Sequence, residues 1–413
     1  MCGKPLFIDL FAGCGGLSLG LIKSGFQGIF AVEKNKDAFN TLYHNLNKEK
    51  IEGGYSWVDW LPIKNMTTED ILSRNELYQL KDKVDLIAGG PPCQGFSLIG
   101  LRNPQDPRNR LTEEYIKIVS IINPKVILLE NVRGFQTAFK NSTLAIMKEP
   151  YSNYVEKEMA KLGYVVFKKI LKSSDFGVPQ LRPRFVMIAV KKTSDNKKLV
   201  SMSNDDLFIH LYEYAKSFKN KNRLTERTTV HDAISDLVLE NQKIISCIDS
   251  KGFRQLKYKE PECMSPYLKF LRSNCSSELI PNSLRIPNHK NETVYKFKYI
   301  QKHAEKGKAL PKQIKERFGM KKQCFRVLSE YDVSTTITTA PDDCIHYEEP
   351  RILTVRENAR IQSFPDWFEF TGPYTTGGNR RKTDCPRYTQ VGNAVPPLMA
   401  EIIGGFIKEY ILS

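Results

Sequence analysis

Four short segments of this 413-residue chain carry side chains that could do chemistry. In Gly89-Gly90-Pro91-Pro92-Cys93-Gln94-Gly95-Phe96-Ser97, a lone cysteine sits in a loop stiffened by two prolines and opened by flanking glycines. A thiol held there can serve as a nucleophile once ionised, because the thiolate is the reactive form. The bland alternative is a buried, inert cysteine. Glu130-Asn131-Val132 offers a carboxyl that can act as an acid or meet a ring nitrogen, or that merely closes a strand. In Gln180-Leu181-Arg182-Pro183-Arg184, two arginines at alternate positions of an extended segment face one way. They suit a base or a phosphate, or form a solvated pair. The fourth segment, Asp9-Leu10-Phe11-Ala12-Gly13-Cys14-Gly15-Gly16, lets backbone approach a ligand and opens a helix with unpaired N–H groups. Downstream, Glu33 can accept from both hydroxyls of a ribose. Together the turn and Glu33 suggest an adenosine-containing cofactor, and because the glycine spacing is not the full G-x-G-x-x-G, nicotinamide cofactors are less favoured.

The elements that must position these groups alternate. Short apolar runs at Leu6–Phe11, Ile29–Val32, Val84–Ala88, Val126–Leu129 and Phe185–Val190 read as buried strands. Helical stretches such as Leu17–Ser24 and Tyr115–Ile122 lie between them. This order predicts an α/β fold with a mostly parallel, doubly wound sheet, whose strand ends carry the four segments. Beyond Lys192 glycine thins and lysine and asparagine rise, as expected for a second domain beginning near 191–205. Regular structure returns near Ser334–Thr339. Thr354 is placed to cap a helix, with Glu357 closing the box. A turn at Gly392–Pro397 leads to an apolar final helix over Leu398–Tyr410.

Composition narrows the class. Apolar residues at 41% exclude a wholly disordered chain. No run of 18 uncharged apolar residues exists, and the apolar stretch Pro5–Ile22 is interrupted by Asp9, so neither a membrane span nor a secretory signal is expected. The nine cysteines include no CxxC pair, which argues against structural zinc, a metal site or a disulfide framework. A cytoplasmic protein follows. Of the net charge of +16, residues 191–330 hold +13, with 29 Lys and Arg against 16 Asp and Glu. That concentration fits a polyanion partner, or a solvated lysine-rich surface.

Taken in order, FIDLFAGCGGLSLG, the Glu33 strand end, GGPPCQGFS, ENV, FGVPQLRPR, RILTVRENARIQSFP and QVGNAVPP resemble the DNA cytosine-5 methyltransferases, especially those of bacterial restriction–modification systems. The resemblance covers residues 6–190 and 334–410. It implies a Rossmann-like, S-adenosyl-L-methionine-dependent methyltransferase sheet (1–192 and 346–413) plus a smaller, irregular target-recognition domain (193–345). By the same resemblance Cys93 is the nucleophile, Glu130 contacts the ring nitrogen of the target cytosine, and Arg182 and Arg184 line the base pocket. Phe11, Gly13, Gly15, Gly16, Leu17, Glu33 and Asn393 match the cofactor side. Asp59, in Trp57–Ile63, sits near where the family places an adenine contact, and that contact is left open. Tyr374–Pro386 looks inserted; its Arg380, Arg381 and Lys382 either touch DNA or are solvated. The implied partner is double-stranded DNA, with nucleoid association when bound and functional pairing with a restriction endonuclease; nothing in the sequence suggests an obligate oligomer, so a monomer is expected. One branch of the family acts on tRNA, but the long basic middle region favours a duplex reader.

Overall fold

The computed structural model describes residues 3–92, 110–137, 149–193, 195–322, 324–376, 380 and 383–413. Cys93, Arg381 and Lys382 lie outside the described residues. The chain divides into two compact units. The first holds 1–175, 183–217 and 399–413, and the second holds 176–182 and 218–398.

In the first unit the expected alternation is present as β1 (Leu6–Leu10), α1 (Gly16–Lys23), β2 (Gln27–Val32), α2 (Lys36–Leu46), α3 (Thr68–Leu72), β3 (Leu86–Gly89), α4 (Arg110–Ile122), β4 (Val126–Val132) and α5 (Tyr151–Lys161). The antiparallel strands β5 (Tyr164–Lys172) and β6 (Pro183–Lys191) follow, then α6 (Lys197–Val200) and α7 (Asn204–Lys221), whose end from Phe218 belongs to the second unit. The sheet order is β2-β1-β3-β4-β6-β5, parallel through its first four strands. The central strands are apolar on both faces, as a sheet covered by helices requires. Ile8, Leu10, Ile87, Ile127 and Leu129 pack with Tyr115, Ile118 and Val119 of α4 in one core.

β5 is not apparent in the sequence. It is the edge strand, and Lys168, Lys169 and Lys172 interrupt its apolar pattern. Lysines suit an edge because they discourage further strand pairing. Lys168 is used locally, reaching Glu156 at 2.6 Å and Asn153 at 2.7 Å.

The second unit has little sheet. It contains α8 (Val230–Ile234), a two-stranded ribbon of β7 (Lys243–Ser246) and β8 (Arg254–Lys257), α9 (Pro266–Leu271), α10 (Asn291–His303) and α11 (Lys312–Arg317). The short parallel pair β9 (Arg326–Val327) and β10 (Cys344–Ile345) follows. The unit then takes in α12 (Val355–Ile361), α13 (Arg387–Asn393) and the start of α14 (Pro397–Phe406). Thr354 and Glu357 form the expected capping box on α12. After Phe406 the final helix widens into a π-helical turn, Ile407–Ile411.

These units break at other residues than the sequence boundaries: 346–398 packs with the middle region, and only 399–413 belongs with the sheet. The reason is a buried ionic lattice. Arg360 donates to Asp366 at 2.9 and 2.8 Å and to Asp236 at 2.5 Å. Arg272 of the middle region reaches the same Asp366 at 2.7 Å. Arg356 donates to the carbonyls of Asn282, Pro365 and Phe368. Both α12 arginines are fully buried. Burial works to raise the Asp366 carboxyl, but Arg360 and its companions hold it below the usual carboxylate range.

Removing one partner of such a lattice strands the others without water. Arg360→Ala should therefore destabilise the protein by about 3–5 kcal/mol, read as a lower urea midpoint. Tyr78→Ala, at a side chain 62% exposed, should change stability by no more than about 0.5 kcal/mol.

Candidate active site

Four parallel strands bring their carboxyl ends to one edge of the sheet. Leu10 of β1 is level with Val32 of β2 and with Gly89 of β3, and Gly89 is level with Leu129 of β4. The segments Phe11–Gly15, Glu33, Gly90–Pro92 and Glu130–Asn131 therefore share that edge, where open α/β sheets place their sites.

After β1 the chain turns tightly. Phe11, Gly13 and Gly15 have φ of 63°, 58° and 93°. Positive φ at Phe11 is costly for a side-chain-bearing residue and marks a held conformation. Gly15 is doubly constrained, since a Cβ there would stand 2.7 Å from Leu46 Cδ1. As N-cap of α1, Gly15 leaves the helix start without a side-chain cap, an arrangement suited to an anion. Gly16 and Leu17 form the buried first turn of α1.

Glu33 folds into this turn. One carboxylate oxygen accepts the Gly13 N–H at 3.0 Å and the other the Asn35 N–H at 2.7 Å. Each oxygen keeps a second lone pair for a ligand hydroxyl. Burial pushes this carboxyl up from its ordinary value, and the Asn35 and Gly13 N–H groups, with the charge and N–H of Lys34, work against the shift.

Beneath the turn lies a chain that the sequence reading did not assign. Asp9 accepts from the Ser18 hydroxyl at 2.5 Å, and Ser18 lies 2.8 Å from the Tyr55 hydroxyl. Asp9 Oδ1 is buried and has no hydrogen-bond partner among the described residues. Burial, with Glu33 nearby, raises the Asp9 carboxyl to about 7. The only sequence signal was a carboxylate inside an apolar strand. Asp59 is exposed.

On the β3–β4 side, Asn131 Nδ2 donates to the Pro91 carbonyl at 3.1 Å. The buried Asn131 thus ties down the described start of the loop that runs on to Cys93. Glu130 forms an ion pair with Arg184 at 2.8 Å, both side chains largely buried. The pairing of β4 with β6, which sets Val132 opposite Arg184, brings them together. Glu130 also packs on Gly90, where a Cβ would stand 3.2 Å from Oε2. A carboxylate, a guanidinium and a glycine-lined loop therefore converge at one strand end.

Two further sequence-predicted residues fall in the second unit. Arg182 is buried, and its Nη1 and Nη2 donate to the carbonyls of Ile337 and Gly392, each at 2.9 Å. Gly392 packs so closely on Thr338 that a Cβ would stand 2.3 Å from its carbonyl oxygen. Asn393, next in the chain, is exposed. Among the described residues no group of three or more His, Cys, Asp or Glu could hold a metal, and no helix is long and apolar enough to cross a membrane.

Known proteins resemble this chain along nearly its whole length. The type II methyltransferase M.DdeI of Desulfomicrobium norvegicum is 31% identical, over 98% of this chain and 88% of that one. M1.HphI of Haemophilus parahaemolyticus, also a type II methyltransferase, is 31% identical over 97% and 86%. Among solved structures, an E. coli chain described as a DNA modification methyltransferase encoded within a prophage superposes with a TM-score of 0.64. It is 25% identical, with 99% of this chain and 100% of that one covered. S. pombe Dnmt2 methyltransferase shares the fold, with a TM-score of 0.52 at 15% identity over 98% and 97%. The model of the C-5 cytosine-specific DNA methylases matches residues 6–409, and the chain belongs to that enzyme family.

Proposed function

We propose that this enzyme is the methyltransferase of a restriction–modification system, as its type II relatives are named. It methylates one cytosine in a specific duplex sequence and so protects that DNA from a cognate endonuclease. The observation that most supports this reading is the convergence at the β3–β4 edge, where Asn131 holds Pro91 and Glu130 is paired with Arg184.

Carbon 5 of cytosine is a weak nucleophile. In the proposed reaction the Cys93 thiolate adds to carbon 6, and the displaced π electrons move toward carbon 5. Glu130 meets the ring nitrogen and offsets the charge that builds there, with Arg184 fixing the carboxyl's position. S-adenosyl-L-methionine supplies an electrophilic methyl group on its sulfonium. Once carbon 5 has taken that methyl, a base removes the carbon-5 proton. Those electrons restore the ring double bond, and the carbon 6–sulfur bond breaks to release thiolate.

The first unit's residues fit the cofactor. Glu33 would accept from the ribose hydroxyls, and the uncapped start of α1 at Gly15 and Gly16 would face the carboxylate. Phe11, Gly13 and Leu17 shape the turn around it. Asn393 is assigned to the same cofactor from the family motif, and Arg182 to the base pocket. For Arg182, the two carbonyls it already serves also give a framework role.

The reaction needs a cytosine outside the stack, at a cost of roughly a few kcal/mol. The basic stretch 191–330, the core of the proposed recognition domain 193–345, would offset that cost through phosphate contacts.

Cys93→Ser should cut methyl transfer to duplex DNA by roughly a thousandfold or more, measured with labelled cofactor. Glu130→Gln should lose roughly a hundredfold or more while still binding cofactor in a titration. Wild-type rates in Cys93→Ser would overturn the nucleophile assignment. Asn131→Ala should lower kcat by roughly ten- to a hundredfold with cofactor affinity unchanged, because a loop displaced by about 1 Å misplaces the nucleophile.

A further inference from the structure

The second unit carries an exposed two-stranded ribbon whose tip is held unusually firmly. In β7, Ile244 is 42% exposed, and just beyond it Ile248 is 78% exposed. An edge strand that shows isoleucine to solvent invites a partner. The occupant is indicated by charge. From Gln242 to Lys259 the ribbon carries Lys243, Lys251, Arg254, Lys257 and Lys259 against a single carboxylate, Asp249. That carboxylate is already paired, accepting from Arg387 at 2.5 Å and from the Tyr374 hydroxyl at 2.9 Å.

The tip is fixed from several directions. The Cys247 N–H donates to the Phe253 carbonyl at 2.9 Å, and the Ile248 N–H to Gln255 Oε1 at 3.0 Å. The Arg285 guanidinium lies 4.1 Å from the Phe253 ring centre and 3.9 Å from that of Tyr374, and donates to the Ser250 hydroxyl at 2.9 Å. Residues from three separate segments thus lock a loop whose foremost side chain touches little of its own protein. Rigid support under an exposed apolar group lowers the ordering cost of binding. The major groove of DNA admits a two-stranded ribbon, and apolar side chains there recognise the thymine methyl group.

We propose that the β7–β8 ribbon enters the major groove of the substrate duplex and that Ile248 reads a thymine 5-methyl group in the recognition sequence. Lys251, Lys257 and Lys243 flank it at the phosphates. The proposal rests on the DNA methyltransferase reading above, and it assigns a specificity-determining residue to that reaction.

The test begins by mapping the wild-type sequence with bisulfite sequencing. Duplexes are then made with each thymine of that sequence, and of the three flanking pairs, replaced singly by deoxyuridine, which lacks only the methyl. Ile248→Ala should lower kcat/KM on the cognate duplex by roughly five- to thirtyfold with unchanged thermal denaturation. One deoxyuridine duplex should show a similar loss with wild-type enzyme and no further loss with Ile248→Ala. Lys251→Ala should leave the mapped sequence intact and make binding less dependent on salt, by about one unit of log–log slope. Equal kcat/KM for wild type and Ile248→Ala, or additive losses on every deoxyuridine duplex, would overturn the ribbon assignment. Wild-type methylation of duplex cytosine would still uphold the proposed function. A wild-type enzyme that methylates no duplex at all would instead overturn that function, and the ribbon assignment with it.

Discussion

The first unit of this protein depends on strand register. Leu10, Val32, Gly89 and Leu129 stand level across four parallel strands, so every loop that leaves them starts from one edge. The requirement is steric as well as topological. A Cβ on Gly89 would stand 2.6 Å from the Leu10 carbonyl oxygen and 2.9 Å from Tyr115 Cε2. With no side chain at that point, β3 can end flush against β1 and deliver Gly90 and Pro91 to the reach of Glu130 and Asn131. Shifting β3 by one residue would reverse which face each side chain meets, and would separate these groups. The β4–β6 pairing extends the same logic to Arg184, which arrives from an antiparallel strand late in the chain.

The second unit is organised by a different force. One apolar cluster gathers Phe297, Ile300, Leu310, Ile314, Phe325, Val327, Ile345 and Ile352, and a smaller one Leu237, Leu256, Tyr258 and Leu284. The unit's largest buried side chains include Arg356 and Arg360. Around Asp366 three separate segments meet through directional bonds: α12, Arg272 after α9, and Asp236 through Arg360. Fully satisfied polar networks rigidify an arrangement that few apolar residues could specify. In a lysine-rich segment with sparse glycine and blurred periodicity, this lattice adds directional order to an apolar interior that includes Leu268, Leu271, Phe297, Ile300 and Phe325.

This difference explains what could be read from the sequence. The sheet was legible because its strands are continuous apolar runs and its site loops are marked by glycine and proline, whose backbone behaviour is local. The α12 cap was legible for the same reason, since Thr354 and Glu357 interact three residues apart. β5 was hidden by its edge lysines. The Asn131–Pro91 bond was hidden because it spans 40 residues and depends on β3 and β4 being neighbours. The grouping of α12 with the middle region was hidden because Arg360 looks like an ordinary helix arginine until Asp236 and Asp366 are beside it. Arg182 and Arg184 show the limit of spacing arguments. They are two residues apart, yet one serves carbonyls at Ile337 and Gly392 and the other pairs with Glu130.

The same logic clarifies the positive charge of the second unit. A net excess of lysine and arginine does not by itself distinguish a binding surface from a solvated one. The structure separates the two kinds. Arg272, Arg356, Arg360 and Arg387 are buried and committed to carboxylates or carbonyls, so they build the unit and are not available to phosphates. Lys243, Lys251, Arg254 and Lys257 are exposed on one ribbon. In this unit buried arginine supplies the framework, and exposed lysine on a rigid ribbon supplies the electrostatic surface.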